Sequence, residues 1–503
     1  MDKLTNTNNV KLTKVLSNNI NLFRQRFIND ETIFFREFDN NTLLNINFCA
    51  IYIPDLVDKK ILDEFAIKPL MEKDFKSILQ QSNKKYNSFT SLIIKKVVTE
   101  AEISTSKSLQ DIIDQILYGY TAFLIEGCDE AVIVNTKEIK SRSIDEPDTE
   151  SVIKGPRQGF NESLSTNISL VRKIIRTSKL KILFMEVGAN TKTKMAICYI
   201  EDIASEKILQ ELKERLKKID NGEIFYNQSI NEYINDSPLS LFDTIGNTER
   251  PDVFCSKISE GRIGILTDGT PFALTIPHLF IEYFQTVDDY TNNYLFAAFN
   301  RILRLLAFFI AISVPALYTA IVNFHQELIP TPLLLSIAIA RDGLPFPTLL
   351  EALVMILGFD ILREAGVRLP KPVGQTVSIV GALVLGEAVV NARIVSAPMV
   401  IITAITGISS FLVPRFLPVF TILRMVFLLV SGFMGIYGYF FCIVGLFIYL
   451  MTLRSFGVPY MLYSMNIKLK DIKSTAVRVP WYMMYNRSKF SSKKNIKRRS
   501  NMT

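Results

Sequence analysis

The chain has 503 residues, 49% of them hydrophobic, and carries 57 Lys and Arg against 49 Asp and Glu, a net charge of +8. Five scattered cysteines (Cys49, Cys128, Cys198, Cys255, Cys442) without CxxC spacing argue against a disulfide framework or a zinc site and suggest a reducing, cytosol-like compartment. From Met451 onward twelve Lys and Arg stand against Asp471 alone, a net +11 that leaves the rest of the chain at about −3, so the basicity describes a tail and not a nucleic-acid-binding domain.

The N-terminus, MDKLTNTNNVKLTKVLSNN, is polar and lacks the apolar stretch of a cleavable signal peptide. Residues 1–40 read as a flexible segment. LLNINFCAIYI (43–53) alternates and is rich in β-branched residues, which predicts a strand. Helical spacing follows over 60–80 and 108–118. TAFLIEG and AVIVNT, within 121–136, flank Cys128-Asp129-Glu130 and predict a hairpin. SRSIDEPDTESVIKGPRQG (141–159), rich in Ser, Pro, Gly and acid, reads as a linker between two lobes.

The second lobe repeats the logic. A helix is expected over 161–180, a strand pair over 180–200 around GANTKT, and a charged amphipathic helix over 205–219. A further strand–turn–strand covers 262–277, with Asp268-Gly269 in the turn. FLIEGCDEAVIV (123–134) is similar to GILTDGTPFALTI (264–276), which hints at two related α+β lobes, although chance would explain two similar hairpins equally well.

Residues 301–452 form a membrane block. A bilayer core of ~30 Å takes ~20 apolar helical residues. LLAFFIAISVPALYTAIVNF (305–324) meets that length, with Pro315 inside it. LLLSIAIA (333–340) is too short to span. TLLEALVMILGFDILREAGVRL (348–369) is amphipathic, with Glu351, Asp360 and Glu364, so this region is expected at the interface, re-entrant or as a short pair. VGQTVSIVGALVLGEAVVNA (373–392) and VSAPMVIITAITGISSFLV (395–413) are good spans. Residues 416–452 are long for one tilted helix and short for two, with Ser431-Gly432 and Gly435 as interruptions. Four or six spans put both ends on one side, and the basic tail marks that side as cytoplasmic.

The expected fold is thus an α+β soluble N-terminal half of two related lobes followed by an all-α polytopic membrane domain. Its parts are a flexible segment (1–40), two cytoplasmic lobes (41–150 and 151–295), a transmembrane domain of four to six spans (296–455) and a basic cytoplasmic tail (456–503). The tail is suited to contact with anionic lipid.

No HExxH, GxxxxGK[ST] or GxSxG pattern is present, so no catalytic, metal or cofactor site is expected and the chain does not read as an enzyme. GPRQGF (155–160) holds glycines around an arginine without the Lys-Ser/Thr of a phosphate loop. Gly155, Arg157 and Gly159 are candidates for an inter-lobe or partner contact, against a tight turn with a structurally paired arginine. Glu387 lies within a predicted span. On a helix Thr376, Val380, Leu383, Glu387 and Asn391 share one stripe. A carboxylate at such depth costs ~2.5–3.5 kcal/mol, so it needs a partner or water. Arg393, Arg363 and Arg424 are candidate partners. The stripe either fixes helix packing through a buried ion pair or lines a hydrated path, and such a path needs a ring of identical subunits.

The blocks 141–176 (SRSIDEPDTESVIKGPRQGFNESLSTNISLVRKIIR) and 241–277 (LFDTIGNTERPDVFCSKISEGRIGILTDGTPFALTIP), then Asp288-Asp289-Tyr290, carry a family resemblance. In the apolar half it continues in 314–341, GLPFP (343–347), LREAGVRLPKPVGQTVSIVGALVLGEAVV (362–390) and SAPMV (396–400). In order and spacing these resemble the A subunit of the bacterial spore germinant receptor, the GerA family, over roughly 40–490. Gln158 departs from the family, which often has Glu there, so position 158 is not expected to be an essential carboxylate. The resemblance implies a multi-pass protein of the spore inner membrane, with its lobes toward the spore core. It implies a transporter-like B subunit and a lipoprotein C subunit as partners, and transduction of nutrient germinant binding into release of monovalent cations. It further implies a homo-oligomeric ring that contributes an ion path. A non-conducting scaffold, or a paralogue that amplifies germination without sensing nutrients, are the other readings.

Overall fold

The structure, a computed structural model, describes residues 10–40, 46–72, 103–137, 146–147, 149–219, 224, 226–370, 373–374, 381, 386–461, 478 and 480. These fall into two compact units, one of 10–235 with 245–277 and one of 236–244 with 278–480.

The first unit holds two mixed α/β lobes. Lobe one runs helix Leu16–Arg26, β1 (Phe34–Asp39), β2 (Asn47–Tyr52), β3 (Ile103–Ser106), helix Leu109–Tyr118, β4 (Thr121–Ile125) and β5 (Ala131–Val134). Lobe two runs helix Leu164–Ile174, β6 (Leu180–Val187), β7 (Thr193–Ile200), helices Glu206–Lys217 and Asn227–Ile234, β8 (Gly246–Thr248), helix Pro251–Ser259, β9 (Ile263–Thr267) and β10 (Ala273–Ile276). The strand orders are β1-β2-β4-β5-β3 and β6-β7-β9-β10-β8. Shifting the first order by one lobe gives the second, and every pairing is antiparallel. The two similar hairpins, β4–β5 and β9–β10, therefore occupy the same place in their sheets, and each is preceded by an equivalent helix.

Local chemistry explains these elements. In helix 109–118 the apolar residues Leu109, Ile112, Ile113, Ile116 and Leu117 fall on one buried face. The Ser108 side chain accepts from the Asp111 N–H, and Gly119 ends the helix at φ +103°. Gly264 in β9 is required by packing, because a Cβ there would overlap the Phe254 ring. Cys49, Cys198 and Cys255 are buried free thiols. Burial pushes the first two up to about 12 and raises the third as well.

Residues 1–40 need correction. Their described part, 10–40, is not a loose segment but supplies a helix and the edge strand β1. Leu12, Leu16, Ile20, Phe23 and Phe27 recur at helical spacing and are buried in the first core. Asparagines and charges between them lower the average hydropathy and hide that stripe. Helical spacing over 60–80 appears as a π-helix, Ile61–Ile67, followed by Lys68–Glu72, and 73–80 lie outside the described residues.

An ion pair joins the lobes. Arg172 of lobe two and Asp30 of lobe one both have fully buried side chains, and Nη2 lies 2.5 Å from Asp30 Oδ2. Thr32 Oγ1 accepts from the same nitrogen at 2.7 Å. Alongside, the Glu31 N–H donates to Ile182 O and its carboxylate accepts from the Phe184 N–H, so the 30–32 segment borders the edge strand β6. The expected linker is also tied down. Buried Arg250 donates to Pro156 O at 2.6 Å and to Glu150 O at 3.2 Å, while Asp252 holds its other side.

The second unit is helical. Helix Tyr294–Phe324 meets Phe284 and Phe416 at its midpoint, through Phe308, and ends at Phe324 and His325 beside Gly435. Helix Leu417–Thr452 is interrupted at Gly435, whose φ of 64° and ψ of −148° are not helical. The Phe427 and Tyr439 rings are 6.0 Å apart, whereas twelve residues of straight helix would separate them by ~18 Å. The element is therefore a hairpin, which resolves the expected ambiguity of 416–452 into two arms. Phe416 and Tyr449, at its open end, both touch Phe242.

Helix Thr348–Arg368 starts at the closed end, where the Thr348 hydroxyl meets Asn323 Oδ1 at 2.7 Å and Leu349 abuts Gly432. It descends to Asp360 and Arg363, beside Arg424 and Thr421. Gly374 returns beside Gly366, and Gly386 lies beside Val400. Helix Ala397–Phe411 then descends from Ser396, at Glu351, to Phe411, whose ring is 6.3 Å from Phe359. Among the described residues five passes are thus seen along their length, 294–324 and 417–434 running toward the closed end and 348–368, 397–411 and 436–452 running away from it. Thr331–Arg341 makes no pass, since both its ends stay near the closed end.

Two boundaries shift. The helical unit begins at 278 instead of 296, because Phe280, Tyr283 and Phe284 pack with Phe308 and Phe416. It also keeps residues 456–460, since the small strands Arg454–Ser455 and Val458–Pro459 return to segment 236–244, where Ser455 Oγ donates to Thr244 O at 2.6 Å.

Three outcomes are expected. Replacing Asp30 by Ala strands the Arg172 charge, and lobe stability should fall by ~3–5 kcal/mol, read as faster amide exchange in β6. Iodoacetamide at pH 8 should label Cys49, Cys198 and Cys255 only after denaturation, because burial keeps them protonated. Gly435→Ala places a Cβ 3.0 Å from His325 Cε1 at positive φ and should cost ~1–3 kcal/mol in thermal unfolding of the helical unit.

Candidate functional site

Ionisable side chains inside an apolar helical unit require partners, and three sets are visible. At the entry, Asp289 receives Arg301 Nε and Nη2 at 3.2 and 3.0 Å and Arg304 Nη1 at 3.0 Å, with Asp289 and Arg301 buried. Arg304 also donates to Phe284 O, so it fastens the entry segment to the first helix.

Lower in the bundle, Arg424 Nη2 lies 2.7 and 2.8 Å from the two oxygens of Asp360. Arg363 Nη2 is 3.2 Å from Asp360 Oδ1 and donates to Thr421 Oγ1. Arg424 is 1% exposed and Asp360 12%. One carboxylate shared by two guanidinium groups leaves local positive charge, and Arg363 Nη1 is buried without a hydrogen-bond partner.

Near the closed end, the fully buried Glu351 accepts from the Ser396 N–H at 2.5 Å and from the Ser396 hydroxyl. Its other oxygen is 3.9 Å from Arg341 Nε.

The sequence candidates separate. Glu387 sits in a described helical stretch, 386–391, and is exposed, as is Asn391 one turn on. Thr376, Val380 and Leu383 lie outside the described residues. Arg363 and Arg424, candidate partners of Glu387, are taken by Asp360 instead. Arg393 is exposed with a positive φ of 53°. No ion pair within the protomer holds Glu387 among the described residues. In the lobes, Arg157 pairs with Glu146 at 3.0 Å with both side chains more than half exposed. Gly155 has φ 137°, and Gly159 is buried next to Phe160, whose ring meets Phe254 edge-on at 5.5 Å. The GPRQGF turn is therefore anchored at Pro156 and Phe160 and presents Arg157 outward.

Sequence reasoning had noted Asp360 and Glu351 only as marks of amphipathicity. Their roles depend on Ser396 and Arg424, tens of residues away. It also missed an open cavity of about 460 Å³ in the lobed unit, lined in part by Asp55, Asp58, Lys59, Lys60, Ser165 and Ser169. Among the described residues no group of three or more His, Cys, Asp and Glu is placed to hold a metal ion.

A family model described as Bacillus/Clostridium GerA spore germination protein matches residues 21–490. Spore germination protein KA of Bacillus subtilis is 40% identical over 97% of this chain and 88% of its own length. Spore germination protein GerLA of Bacillus cereus is 36% identical over 89% of this chain and 90% of its own. A crystal structure of the N-terminal domain of the A subunit of the Bacillus megaterium spore germinant receptor GerK3 matches 54% of this chain and 98% of that one, at 29% identity and a TM-score of 0.42. With a family model and full-length relatives agreeing over nearly the whole chain, this protein belongs to the GerA family of spore germination proteins, as an A-type subunit.

Proposed function

We propose that the chain is the A subunit of a nutrient germinant receptor and that several copies close into a ring which conducts monovalent cations. The carrying observation is the exposure of Glu387 and Asn391 in a largely apolar unit, without the kind of ion pair that joins exposed Glu364 to Arg368. A carboxylate on that surface cannot face lipid without a penalty of ~2.5–3.5 kcal/mol. Inside the protomer Arg363 and Arg424 are committed to Asp360, and no described ion pair joins Arg393 to Glu387, so water or a neighbouring copy is left to cover Glu387. A ring with Glu387 on its inner wall provides both, and a ring of carboxylates favours cations.

In this reading the helical unit crosses the spore inner membrane. Two helices, Tyr294–Phe324 and Pro414–Thr452, are long and apolar enough to cross by length and composition. The hairpin at Gly435 turns the second into two arms of ~26 Å each, and the chain enters and leaves the helical unit at one end. That parity agrees with lobes and basic tail on one face, the spore-core side. A transporter-like B subunit and a lipoprotein C subunit complete the receptor, as A-type subunits imply. Germinant bound on a partner would favour the open ring in proportion to its differential affinity for the two states. The exposed Arg157 turn is a contact for a partner or a second copy.

The test is potassium flux from liposomes holding the purified full-length chain, with oligomer size read on the same sample. Glu387→Gln should lower the flux several-fold with the oligomer intact, and Glu387→Lys should shift the reversal potential toward anions. Unchanged flux and selectivity in both variants would remove Glu387 from the path. A defined oligomer in sealed liposomes would leave the chain as a scaffold.

A further inference from the structure

Buried polar atoms without hydrogen-bond partners cost about 1–3 kcal/mol each, so a cluster of them marks a place that the fold keeps at a cost. At the closed end of the helical unit three such atoms lie in one neighbourhood: Glu351 Oε2, Tyr318 Oη and Arg341 Nε. Glu351 is 0% exposed. Its Oε1 is satisfied by Ser396, while Oε2 faces Arg341 Nε at 3.9 Å, beyond hydrogen-bond reach. Tyr318 stands beside Ser396 and within the field of both charges. Ala352, Ile356, Val395, Met399 and Leu428 pack around them, so the surroundings are apolar.

We infer that Glu351, Ser396 and Tyr318 form a binding site for a single dehydrated monovalent cation, and that Arg341 is the built-in counter-charge that occupies its place in this structure. The donor set is all oxygen: a carboxylate and two hydroxyls, the chemistry that suits hard cations. The charge count selects valence. One carboxylate neutralises one positive charge, while a divalent ion would leave a net positive charge buried among aliphatic side chains.

Arg341 is suited to leave. It ends the 11-residue helix Thr331–Arg341, which has Ile337 as its buried residue and sits between Pro330 and Gly343, the latter at φ +77°. Its side chain is 24% exposed, in contrast to the enclosed Glu351. When it withdraws, Glu351 needs a new positive charge, and a potassium or sodium ion supplies it. The site is separate from the Glu387 surface and its existence does not depend on conduction.

The test is thermal unfolding of the full-length chain in detergent, in potassium or sodium chloride against N-methylglucamine chloride at equal ionic strength. Arg341→Gln should show a saturable rise in melting temperature with the small cation, following binding to the folded state. Adding Glu351→Gln should abolish the rise. An Arg341→Gln chain indifferent to the cation, or a rise that survives Glu351→Gln, would overturn the site and leave a buried water as the occupant. Should Arg341→Gln fail to fold in every salt, the uncharged Arg341→Met takes its place. It should melt higher in potassium or sodium than in N-methylglucamine, and equal melting in all three would count against the site. Binding is read without flux, so a chain that binds cations yet does not conduct would sink the ring proposal and leave this one standing.

Discussion

Among the described residues four arginines are wholly buried, and each meets an aspartate: Arg172 with Asp30, Arg250 with Asp252, Arg301 with Asp289 and Arg424 with Asp360, the last two carboxylates also serving Arg304 and Arg363. A guanidinium out of water is tolerated only when a carboxylate and further acceptors surround it. Each pair therefore admits one arrangement of the segments that carry it. The first joins the two lobes. The second ties the inter-lobe segment to lobe two. The third fastens the entry of the helical unit, and the fourth sets two of its helices in register. Replacing such pairs by aliphatic residues would often cost little, so their value here lies in the arrangement they specify.

The lobes and the helical unit solve the burial problem in different ways. Each lobe closes an antiparallel sheet with helices whose apolar stripe is set by spacing, and each central strand is buried along its length. The same topology appears twice, so a duplicated solution accounts for almost all of the first unit. The helical unit instead relies on glycines at close approaches. Gly407 admits Phe359, Gly432 admits Leu349 and Gly435 turns the final hairpin against Phe324 and His325. Small residues are what let apolar helices approach where no hydrophobic drive separates helix from lipid. The charges left inside are few, and their pairing leaves Glu387 as an outward group.

Much of the architecture was legible along the chain. The strands at β2, β4, β5, β6, β7, β9 and β10 follow from alternation or short apolar runs, and the helices at 109–118, 164–174 and 206–217 from their stripes. The hairpin similarity between 123–134 and 264–276 was visible but could not be separated from chance, because two hairpins share turn chemistry whatever their ancestry. Strand β1, FFREFD, was missed because its burial is partial and its charges pair outward, Arg36 with Asp63 at 3.0 Å. The 1–40 segment was misread because a helix needs only one apolar residue per turn to dock, and Asn-rich intervals mask it.

Sequence by itself determined the division into a charged mixed half and an apolar helical half, the basic tail, the free cysteines and the family, since each depends on composition or on ordered short blocks. It also picked out Glu387 as a carboxylate within an apolar run. Tertiary structure alone decided the direction of the described helices, the non-crossing helix 331–341 and the partner of each buried charge. An ion pair is defined by distance in space, and Asp360 lies 64 residues from Arg424. Periodicity tells which face of a helix is apolar, but only the packed neighbours tell which carboxylate that face will meet.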